Sequence, residues 1–415
     1  MKTLAEVEPR IAVNDENTPG TSTSVYAITE PGSYYLTGNV YANGLHGILI
    51  SADDVTLDLM GFKIWASYET ADPPSNVNFD GIYIDSYGED IDIRNGIIES
   101  AKDASHAGFR NGIYSPFQAF TSLHTQYLRI SDIRVFRCSG EGITTNGYYA
   151  TVKDCHSAEN GDSGIVVLMG LVSHCVAYQN NGTGIYSGNG VVSHCKSLGN
   201  YGGNGIMIGS LGVAKDNSVS GNSGSGIAAD NSCVISHNAI SGNSGSGIIA
   251  GDHCRIEDNT VGTSGDIGVS AGDDCVITGN SVSESTGRGF NVGSGSTVDK
   301  NAASENGMYG IYVGNGCVVT NNTAFQNANS GIYTGRCCVV KNNSTFENSA
   351  SGIRVDGYAS SIVGNTARSN QYYGIYVIGY CVVDQNATYN NNQSGGSYVN
   401  LYVGSGCETG LNVAP

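Results

Sequence analysis

Residues 226–246 read GIAADNSCVISHNAISGNSGS, and residues 247–267 read GIIAGDHCRIEDNTVGTSGDI, so one pattern occurs twice in succession. Each stretch opens with a glycine and an apolar residue, continues into a short apolar run, and closes that run with an asparagine. From position 142 onward the glycine–apolar pair recurs at intervals of about 21 residues, which is typical of a solenoid whose repeats bury their apolar faces only against their neighbours. These marker glycines are Gly142, Gly164, Gly184, Gly205, Gly226, Gly247, Gly268, Gly289, Gly310, Gly331, Gly352 and Gly374.

Two asparagine columns and one cysteine column have the same spacing. The first column is Asn217, Asn238, Asn259, Asn280, Asn301, Asn322, Asn343, Asn365 and Asn386, preceded in the same slot by Cys155, Cys175 and Cys195. The second column lies five positions further on, with Ser264 and Ser285 in two of its places. The cysteine column is Cys233, Cys254, Cys275, Cys317, Cys338 and Cys381. Stacked amides can satisfy the backbone of a buried turn, and a free thiol acts as a small core residue, so we expect structural columns and no metal or other cofactor.

Each period holds about three runs of 3 to 5 residues with alternating apolar positions, which indicates strands rather than helices. Equivalent strands of successive turns then pair in parallel at ~4.8 Å. The prediction is an all-β, single-stranded, right-handed parallel β-helix with about 21 residues per turn, the handedness following from the rule for parallel crossovers. We expect an N-terminal cap and first strands in residues 1–44, early turns with inserted loops in 45–141, and regular turns in 142–415.

Charge and composition restrict the partners. The formal net charge is -18, from 19 Lys+Arg and 37 Asp+Glu, which disfavours nucleic acid because phosphate binding needs clustered positive charge. No stretch is long and apolar enough to enter a bilayer, and the first residues, MKTLAEVEPR, lack the apolar core of a signal peptide. We expect a secreted or cell-surface protein whose leader is absent from this chain.

The Gly-Ile pairs, the VxxN runs and the asparagine columns resemble the right-handed β-helix repeats of the pectate-lyase-like superfamily, most closely the NosD-type, carbohydrate-binding and sugar-hydrolase repeats. The resemblance covers roughly residues 45 to 410 and implies the fold. It leaves function open, because the superfamily includes polysaccharide lyases, hydrolases, epimerases, phage tailspikes and non-catalytic adhesins. Of the polygalacturonase-like motifs only the paired aspartates have a candidate, Asp273-Asp274, and the calcium cluster of the pectate lyases has no counterpart.

The looped region is the first candidate site. Marker glycines at 81, 112 and 142 are spaced more widely than those of the regular turns, so extra loops project there. Seven residues in these loops carry base, acid or cationic groups: Lys102, His106, Arg110, Tyr114, His124, Tyr127 and Arg129. Proton abstraction beside a uronate needs a base, an acid and a cation that neutralises the carboxylate, and these residue types can supply all three. The alternative is that they are solvated loop residues that pack over the coil.

The second candidate is an outward stripe two positions after the marker glycine. Along the chain that position holds Tyr83, Tyr114, Tyr186, Tyr312, Tyr333, Arg354, Tyr376 and, in the last partial turn, Tyr402. Rings at ~4.8 Å intervals make an aromatic ladder suited to sugars or to another copy of the protein. For glycan or partner binding we single out Tyr312, Tyr333, Arg354, Tyr376 and Tyr402. The alternative is that tyrosine simply suits a half-exposed strand surface.

The monotonous acidic coil and the missing catalytic motifs favour a rigid extracellular scaffold that binds polysaccharide or associates with other copies of itself, for instance in filaments. The alternative is a polysaccharide-degrading or -modifying enzyme, a lyase, hydrolase or epimerase, with its site on the looped early turns. The sequence leaves open whether the chain is an enzyme.

Overall fold

The computed structural model describes residues 10–67, 78–85, 89–100, 108–116 and 127–415. The chain divides into two compact units, Met1–Ile208 (unit 1) and Gly209–Pro415 (unit 2). Throughout the described ranges the regular elements are β-strands, and no helix there could cross a membrane. Each unit is a parallel β-solenoid, and hydrogen-bonded partners in successive regular turns are 21 positions apart, so the predicted all-β fold and its period are confirmed. The finer division at residues 44 and 141 stays a prediction.

Unit 1 is built from short strands that pair in parallel with their equivalents one turn away. They are β1 (Ile11–Val13), β2 (Ser24–Ile28), β3 (Gly32–Leu36), β4 (Val40–Tyr41), β5 (His46–Ile50), β6 (Val55–Asp58), β7 (Lys63–Ala66), β8 (Ile82–Ile84), β9 (Ile91–Ser100), β10 (Ile113–Ser115), β11 (Leu128–Phe136), β12 (Ile143–Thr145), β13 (Ala150–Lys153), β14 (His156–Ala158), β15 (Ile165–Ser173), β16 (Val176–Tyr178), β17 (Ile185–Ser193), β18 (Lys196–Leu198) and β19 (Ile206–Ile208).

A turn of unit 1 has three strand positions. The first-position strands β5, β8, β10 and β12 carry the isoleucine that follows the marker glycine, and Ile48 pairs with Ile82, which pairs with Ile113. These isoleucines are fully buried. β9 and β11 are long because each covers the second and third positions, so that Leu57 of β6 and Ile64 of β7 pair with two parts of β9. The core is therefore a set of stacked apolar side chains, one from each turn at each strand position, and at the first position they are isoleucines.

Unit 2 repeats the same three positions with mostly very short strands. They are β20 (Val213–Lys215), β21 (Ser218–Ser220), β22 (Ile227–Ala229), β23 (Val234–Ser236), β24 (Ala239–Ser241), β25 (Ile248–Ala250), β26 (Arg255–Glu257), β27 (Thr260–Gly262), β28 (Val269–Ala271), β29 (Val276–Thr278), β30 (Ser281–Ser283), β31 (Phe290–Val292), β32 (Thr297–Asp299), β33 (Ala302–Ser304), β34 (Ile311–Val313), β35 (Val318–Thr320), β36 (Thr323–Phe325), β37 (Ile332–Thr334), β38 (Val339–Lys341), β39 (Ser344–Phe346), β40 (Ile353–Val355), β41 (Ser361–Val363), β42 (Thr366–Arg368), β43 (Ile375–Val377), β44 (Val382–Asp384), β45 (Ala387–Tyr389), β46 (Leu401–Val403) and β47 (Glu408–Thr409).

The marker glycine is required by space. A Cβ atom on Gly226 would lie 2.7 Å from the carbonyl oxygen of Gly247 in the next turn, and the same approach recurs between Gly310 and Gly331. The two turns are already joined at this point, because Ile227 N donates to Gly247 O at 2.9 Å. Any side chain at the marker would therefore push two turns apart.

The asparagine columns are aligned in space, as the sequence predicted. Asn259 Oδ1 accepts hydrogen bonds from both the backbone N and the side-chain Nδ2 of Asn238, at 3.0 and 2.9 Å. Asn259 repeats the arrangement with Asn280, and all three amides are almost completely buried. Each amide thus satisfies the backbone of the turn before it, which is the role expected of a buried polar side chain.

All twelve cysteines are free thiols, and ten of them are buried. In unit 2 the backbone N of Cys233 donates to Cys254 Sγ at 3.3 Å, and Cys254 N donates to Cys275 Sγ at the same distance. Ser296 takes the next place, where its Oγ accepts from Cys275 N at 3.0 Å. The predicted inward slot is confirmed, with serine in the gaps.

Candidate functional site

A column of ionisable and amide side chains stands immediately before the marker glycines of unit 1. It holds His46, Asp80, Asn111 and Glu141, and we call it the leading column. Asp80 Oδ1 accepts from the backbone N and the Nδ2 of Asn111, at 3.1 and 2.9 Å. Asn111 Oδ1 in turn accepts from Glu141 N at 3.0 Å. The parallel register of the first-position strands therefore brings side chains from successive long turns into direct contact.

His46 lies against Asp80 at one end of this column. Its Nδ1 accepts a hydrogen bond from Asp80 N at 2.9 Å and lies 3.6 Å from Asp80 Oδ2. The imidazole packs on the ring of Tyr83 at 4.7 Å and meets Phe79 edge-on at 5.5 Å. Because Nδ1 is the acceptor, the neutral ring carries its proton on Nε2 and presents that atom as a donor.

Burial shifts both titrating groups toward their neutral forms. It lowers the pKa of His46 to about 4. It raises the pKa of Asp80 to about 7, opposed by the Asn111 hydrogen bonds and the nearby Arg110. Asp80 is only 3% exposed. At mildly acidic pH the pair is thus a neutral imidazole beside a protonated carboxyl, and perturbed pKa values of this kind cluster at functional sites.

Two of the seven predicted loop residues lie near the leading column. Arg110 acts electrostatically on Asp80 and donates from Nη1 to Asn78 Oδ1 at 3.4 Å. Tyr114 pairs with Tyr83 in the ladder, and their rings are 6.1 Å apart.

Two others belong to the second strand position. Tyr127 stacks on Tyr149 at 5.7 Å, and Arg129 Nε lies 3.8 Å from Asp92 Oδ2. Lys102, His106 and His124 lie outside the described residues.

The sequence reasoning missed His46, Asp80 and Glu141. Their common feature is visible in the sequence, since each directly precedes a glycine–isoleucine marker, at Gly47, Gly81 and Gly142. The paired aspartates have a structural role: Asp273 Oδ1 accepts from Ser294 N at 2.6 Å, and Asp274 lies at a left-handed corner with φ of 54°.

The second candidate site is the tyrosine face of unit 2, formed by Tyr312, Tyr333, Arg354, Tyr376 and Tyr402. These residues occupy the middle of successive first-position strands and pair in register. The rings of Tyr312 and Tyr333 are 4.7 Å apart and 2° from parallel, and those of Tyr376 and Tyr402 are 4.9 Å apart and 7° from parallel. The predicted stripe is therefore continuous from Tyr312 to Tyr402, with one guanidinium between two tyrosine pairs.

Parallel stacking decides which atoms the tyrosine face offers. Each ring covers the face of its neighbour, so the outward surface consists of ring edges and phenol hydroxyls. Burial raises the pKa of Tyr333 and of Tyr376, with further contributions from Asp356 and Tyr402 respectively. The phenols therefore stay protonated at ordinary pH and act as donors and acceptors.

Guanidinium groups flank the ring stacks. The Arg288 guanidinium lies 3.8 Å from the centre of the Tyr312 ring, and that of Arg354 lies 5.4 Å from the centre of the Tyr376 ring. Arg354 Nε also donates to both carboxylate oxygens of Asp356, at 3.0 and 2.9 Å. These contacts hold the cations in place beside the hydroxyl row.

A family model described as NosD, periplasmic copper-binding protein, matches residues 248–406. Among solved structures, the chain is similar to the periplasmic alginate epimerase AlgG, with 13% identity, a TM-score of 0.32 and coverage of 97% of this chain and 84% of that one. The receptor-binding tailspike of bacteriophage Det7 shares 11% identity, with a TM-score of 0.40 and coverage of 99% and 77%. The A-module of the Azotobacter vinelandii mannuronan C-5 epimerase AlgE6 shares 15% identity, with a TM-score of 0.25 and coverage of 93% of this chain and 91% of that one. No curated protein matches the sequence significantly.

The copper in the NosD description can be tested against the side chains. Within the ranges that the structure covers, no three His, Cys, Asp or Glu side chains are placed to hold one metal ion. The thiol column between residues 248 and 406 is buried and bonded to the backbone of neighbouring turns. The described residues do not fit a copper centre. The resemblance to NosD-type repeats that the motifs indicated is confirmed for residues 248–406, within a chain whose two units are parallel β-solenoids.

Proposed function

We propose that this protein is a polysaccharide-binding β-solenoid that acts outside the cytoplasm, with the tyrosine face of unit 2 as its binding surface. The observation that carries the proposal is the pair of parallel tyrosine stacks on either side of Arg354. Neighbouring tyrosine rings are 4.7 to 4.9 Å apart, and this spacing is comparable to the length of one pyranose in an extended polysaccharide.

The face suits sugar hydroxyls because its groups are held in place before binding. Each tyrosine hydroxyl can donate and accept, and the guanidinium of Arg354 adds further donors. Little side-chain entropy is lost on binding, because stacking and the Asp356 hydrogen bonds already restrict these side chains. Hydroxyl and edge contacts, rather than stacking of sugar on open ring faces, are the expected mode.

The test is retention of the protein on a panel of insoluble neutral and uronic-acid polysaccharides. The double variant Tyr312→Ala/Tyr333→Ala should bind about tenfold more weakly, since it removes two adjacent anchors. Tyr358→Ala is the matched control, because Tyr358 is 53% exposed and lies on another part of the turn. Unchanged retention of the double variant, or loss of self-association without loss of retention, would overturn the proposal in favour of a surface between copies.

The leading column of unit 1 favours a second candidate, a lyase or epimerase acting on uronates. The neutral His46 presents Nε2–H, Asp80 retains a proton, and Arg110 supplies positive charge beside them. These groups can stabilise the negative charge that develops on a uronate carboxylate when the adjacent proton is removed. The proton-abstracting base would come from Lys102, His106 or His124.

Incubation with uronic-acid polysaccharides tests this candidate, with absorbance of the unsaturated product reporting elimination and sugar composition reporting epimerisation. Activity lost in His46→Ala and Lys102→Ala but kept in Lys215→Ala, an exposed cation of unit 2, would support it. Absence of turnover with every uronate would exclude it and leave the binding function unaffected.

A further inference from the structure

The third-position strands of unit 1 carry a second aromatic surface, which we call the tryptophan face: Tyr41, Trp65, Glu99 and Phe136. Tyr41 pairs with Trp65, Trp65 with Glu99, and Glu99 with Phe136, so the four side chains form one column over four turns. Tyr41 is 40% exposed and Trp65 38% exposed, and Trp65 is the one tryptophan of the chain. Large exposed rings on adjacent turns are typical of a binding surface.

The rings of the tryptophan face are tilted, unlike those of unit 2. Tyr41 and Trp65 have their centres 4.4 Å apart with 42° between their planes. The hydroxyl of Tyr41 is anchored, because it donates to Ser67 O at 3.0 Å. A tilted pair leaves part of the indole face open to a ligand, and the apolar C–H face of a pyranose packs well on such a ring.

Glu99 adds little negative charge to the middle of this face. Its Oε2 is in contact with Lys63 Nζ and its Oε1 with Arg137 Nη2. Arg137 is held in turn by a hydrogen bond from its Nε to Ser100 O at 3.3 Å. The charge of the Glu99 carboxylate is therefore neutralised beside Trp65.

A polar groove adjoins the tryptophan face. It has a volume of about 590 Å³, and its lining includes Ile97, Asp132, Arg134, Asp154 and His156. Ile97 pairs with Lys63 on one side and with Arg134 on the other, so the groove follows the column next to Trp65 and Glu99. This volume is in the range of small-molecule sites, roughly 300 to 1,000 Å³.

Two polar groups in the groove lack partners. Arg134 is exposed, and in the part of the chain that the structure describes its guanidinium has no hydrogen-bond or ion-pair partner. The Nε2 atom of His156 is buried and has no hydrogen bond there either. Burial lowers the pKa of His156 from its ordinary 6.5, and Arg134 lowers it further, so this imidazole is neutral at pH 7. A buried polar atom without a partner indicates a place for a ligand group or for water.

We infer that the groove and the tryptophan face together bind a neutral, hydroxyl-rich oligosaccharide. This inference builds on the proposed function but concerns a separate surface in the other unit. The carboxylates of Asp132 and Asp154 accept hydrogen bonds from sugar hydroxyls, and the Arg134 guanidinium donates hydrogen bonds to sugar hydroxyls. His156 Nε2 forms a further hydrogen bond with the ligand. The two carboxylates of the groove would repel a polyanionic glycan. A neutral glycan can form hydrogen bonds with every one of these groups without bringing like charges together.

Trp65 is a built-in reporter for this site, since its emission can be excited selectively over that of the tyrosines. The full chain is titrated with hexaoses of glucose, mannose and galactose and, separately, with oligogalacturonate and oligomannuronate. We expect a saturable change in Trp65 emission with at least one neutral hexaose and none with the acidic oligomers. An emission that no neutral hexaose changes, or that only the acidic oligomers change, would overturn the inference.

Arg134→Met should raise the dissociation constant about tenfold, because it removes the cationic donor but keeps the aliphatic stem. Lys196→Met is the matched control, an exposed cation further along the same third-position column and outside the groove. His156→Phe, which keeps the ring volume, is the second variant, with a similar weakening expected. Equal affinity in parent, Arg134→Met and His156→Phe, with folding verified by circular dichroism, would refute the site.

The outcome is independent of the tyrosine face. Tyr312→Ala/Tyr333→Ala should leave the Trp65 response intact. A silent Trp65 with retention that depends on the tyrosines would reject this inference alone. A responsive Trp65 with retention that ignores the tyrosines would support it and reject the binding surface proposed for unit 2.

Discussion

The two units build the same three-strand turn with different corner residues and different turn lengths. In unit 2 the turns are nearly uniform in length, and the corner slot holds an asparagine whose Oδ1 accepts two hydrogen bonds from the preceding turn. In unit 1 the early turns are longer, and the corner slot of the later turns holds Cys155, Cys175 and Cys195. A thiol needs fewer partners than an amide, so the two units stabilise the same corner in different ways.

The surfaces differ in a related way. Strict register in unit 2 forces Tyr312 and Tyr333 into parallel contact, which hides their faces. In the longer early turns of unit 1, Tyr41 and Trp65 are tilted, and the leading column brings a histidine and an aspartate together. Regularity thus produces a uniform aromatic surface, and departures from it produce grooves and clusters of mixed chemistry.

The largest expected effect is on the regular stack. Ile332 is fully buried in β37 and pairs with Ile311 and Ile353. Ile332→Asp places an unpaired carboxylate in this column and should cost roughly 3 to 5 kcal/mol, enough to unfold the surrounding turns. Thermal melting followed by circular dichroism measures the loss. Val318→Asp is the control, since Val318 is 38% exposed and the variant should melt close to the parent.

A melting temperature for Ile332→Asp equal to that of the parent would contradict the inward assignment of the marker isoleucines. It would also remove the reason why Tyr333 points outward, because alternate residues of a strand face opposite sides.

The second effect compares the amide corner of unit 2 with the thiol corner of unit 1. Asn280→Ala deprives Asn259 N and Ile256 O of their partners and should cost about 3 kcal/mol. Cys175→Ala loses two weak donations from Sγ, to Ser173 O at 3.2 Å and to Val152 O at 3.5 Å, and a small buried volume, so about 1 kcal/mol is expected. Denaturant unfolding monitored separately for each unit, with amide hydrogen exchange as the local probe, gives the comparison. Equal costs would mean that the amide ladder is not what stabilises unit 2.

Much of the fold could be predicted because its determinants repeat. Asn238, Asn259 and Asn280 recur at one constant interval, and only a parallel stack gives a buried amide the same environment at every turn. The serines at 264, 285, 296 and 360 follow from the same logic, as small hydroxyl residues in columns of amides or thiols. The register of Tyr312 and Tyr333 was also predicted, since both stand two positions after a marker glycine.

The chemistry of the sites depends on geometry that no period encodes. His46 and Asp80 are 34 positions apart, which is longer than the repeat of about 21. The period alone therefore does not predict that they are in contact. Ring orientation is likewise set by packing, which stacks Tyr312 on Tyr333 but tilts Tyr41 against Trp65. The roles expected of Lys102, His106, Arg110, Tyr114, His124, Tyr127 and Arg129 stay predictions.

The smallest effect is a pH dependence of stability that appears only when either His46 or Asp80 of the leading column is replaced. The folded pKa of Asp80, about 7, is above its ordinary 3.8, so its contribution to stability is complete below 3.8 and is lost as pH rises through 7. The folded pKa of His46, about 4, is below its ordinary 6.5, so its contribution is complete above 6.5 and is lost as pH falls through 4. Between these limits folding moves one proton from histidine to aspartate, with no net uptake.

The parent should therefore show little dependence on pH from this pair between about pH 4 and 6.5. His46→Gln leaves Asp80 alone, and stability should fall with rising pH; Asp80→Asn leaves His46 alone, and stability should fall with falling pH. Each slope is at most about 1.4 kcal/mol per pH unit, and that of His46 is reduced because part of the ring meets solvent. Urea midpoints at several pH values measure both. Slopes of the same sign would mean that no proton moves from His46 to Asp80 on folding. That result would also contradict the proposed role of the neutral His46 as a donor.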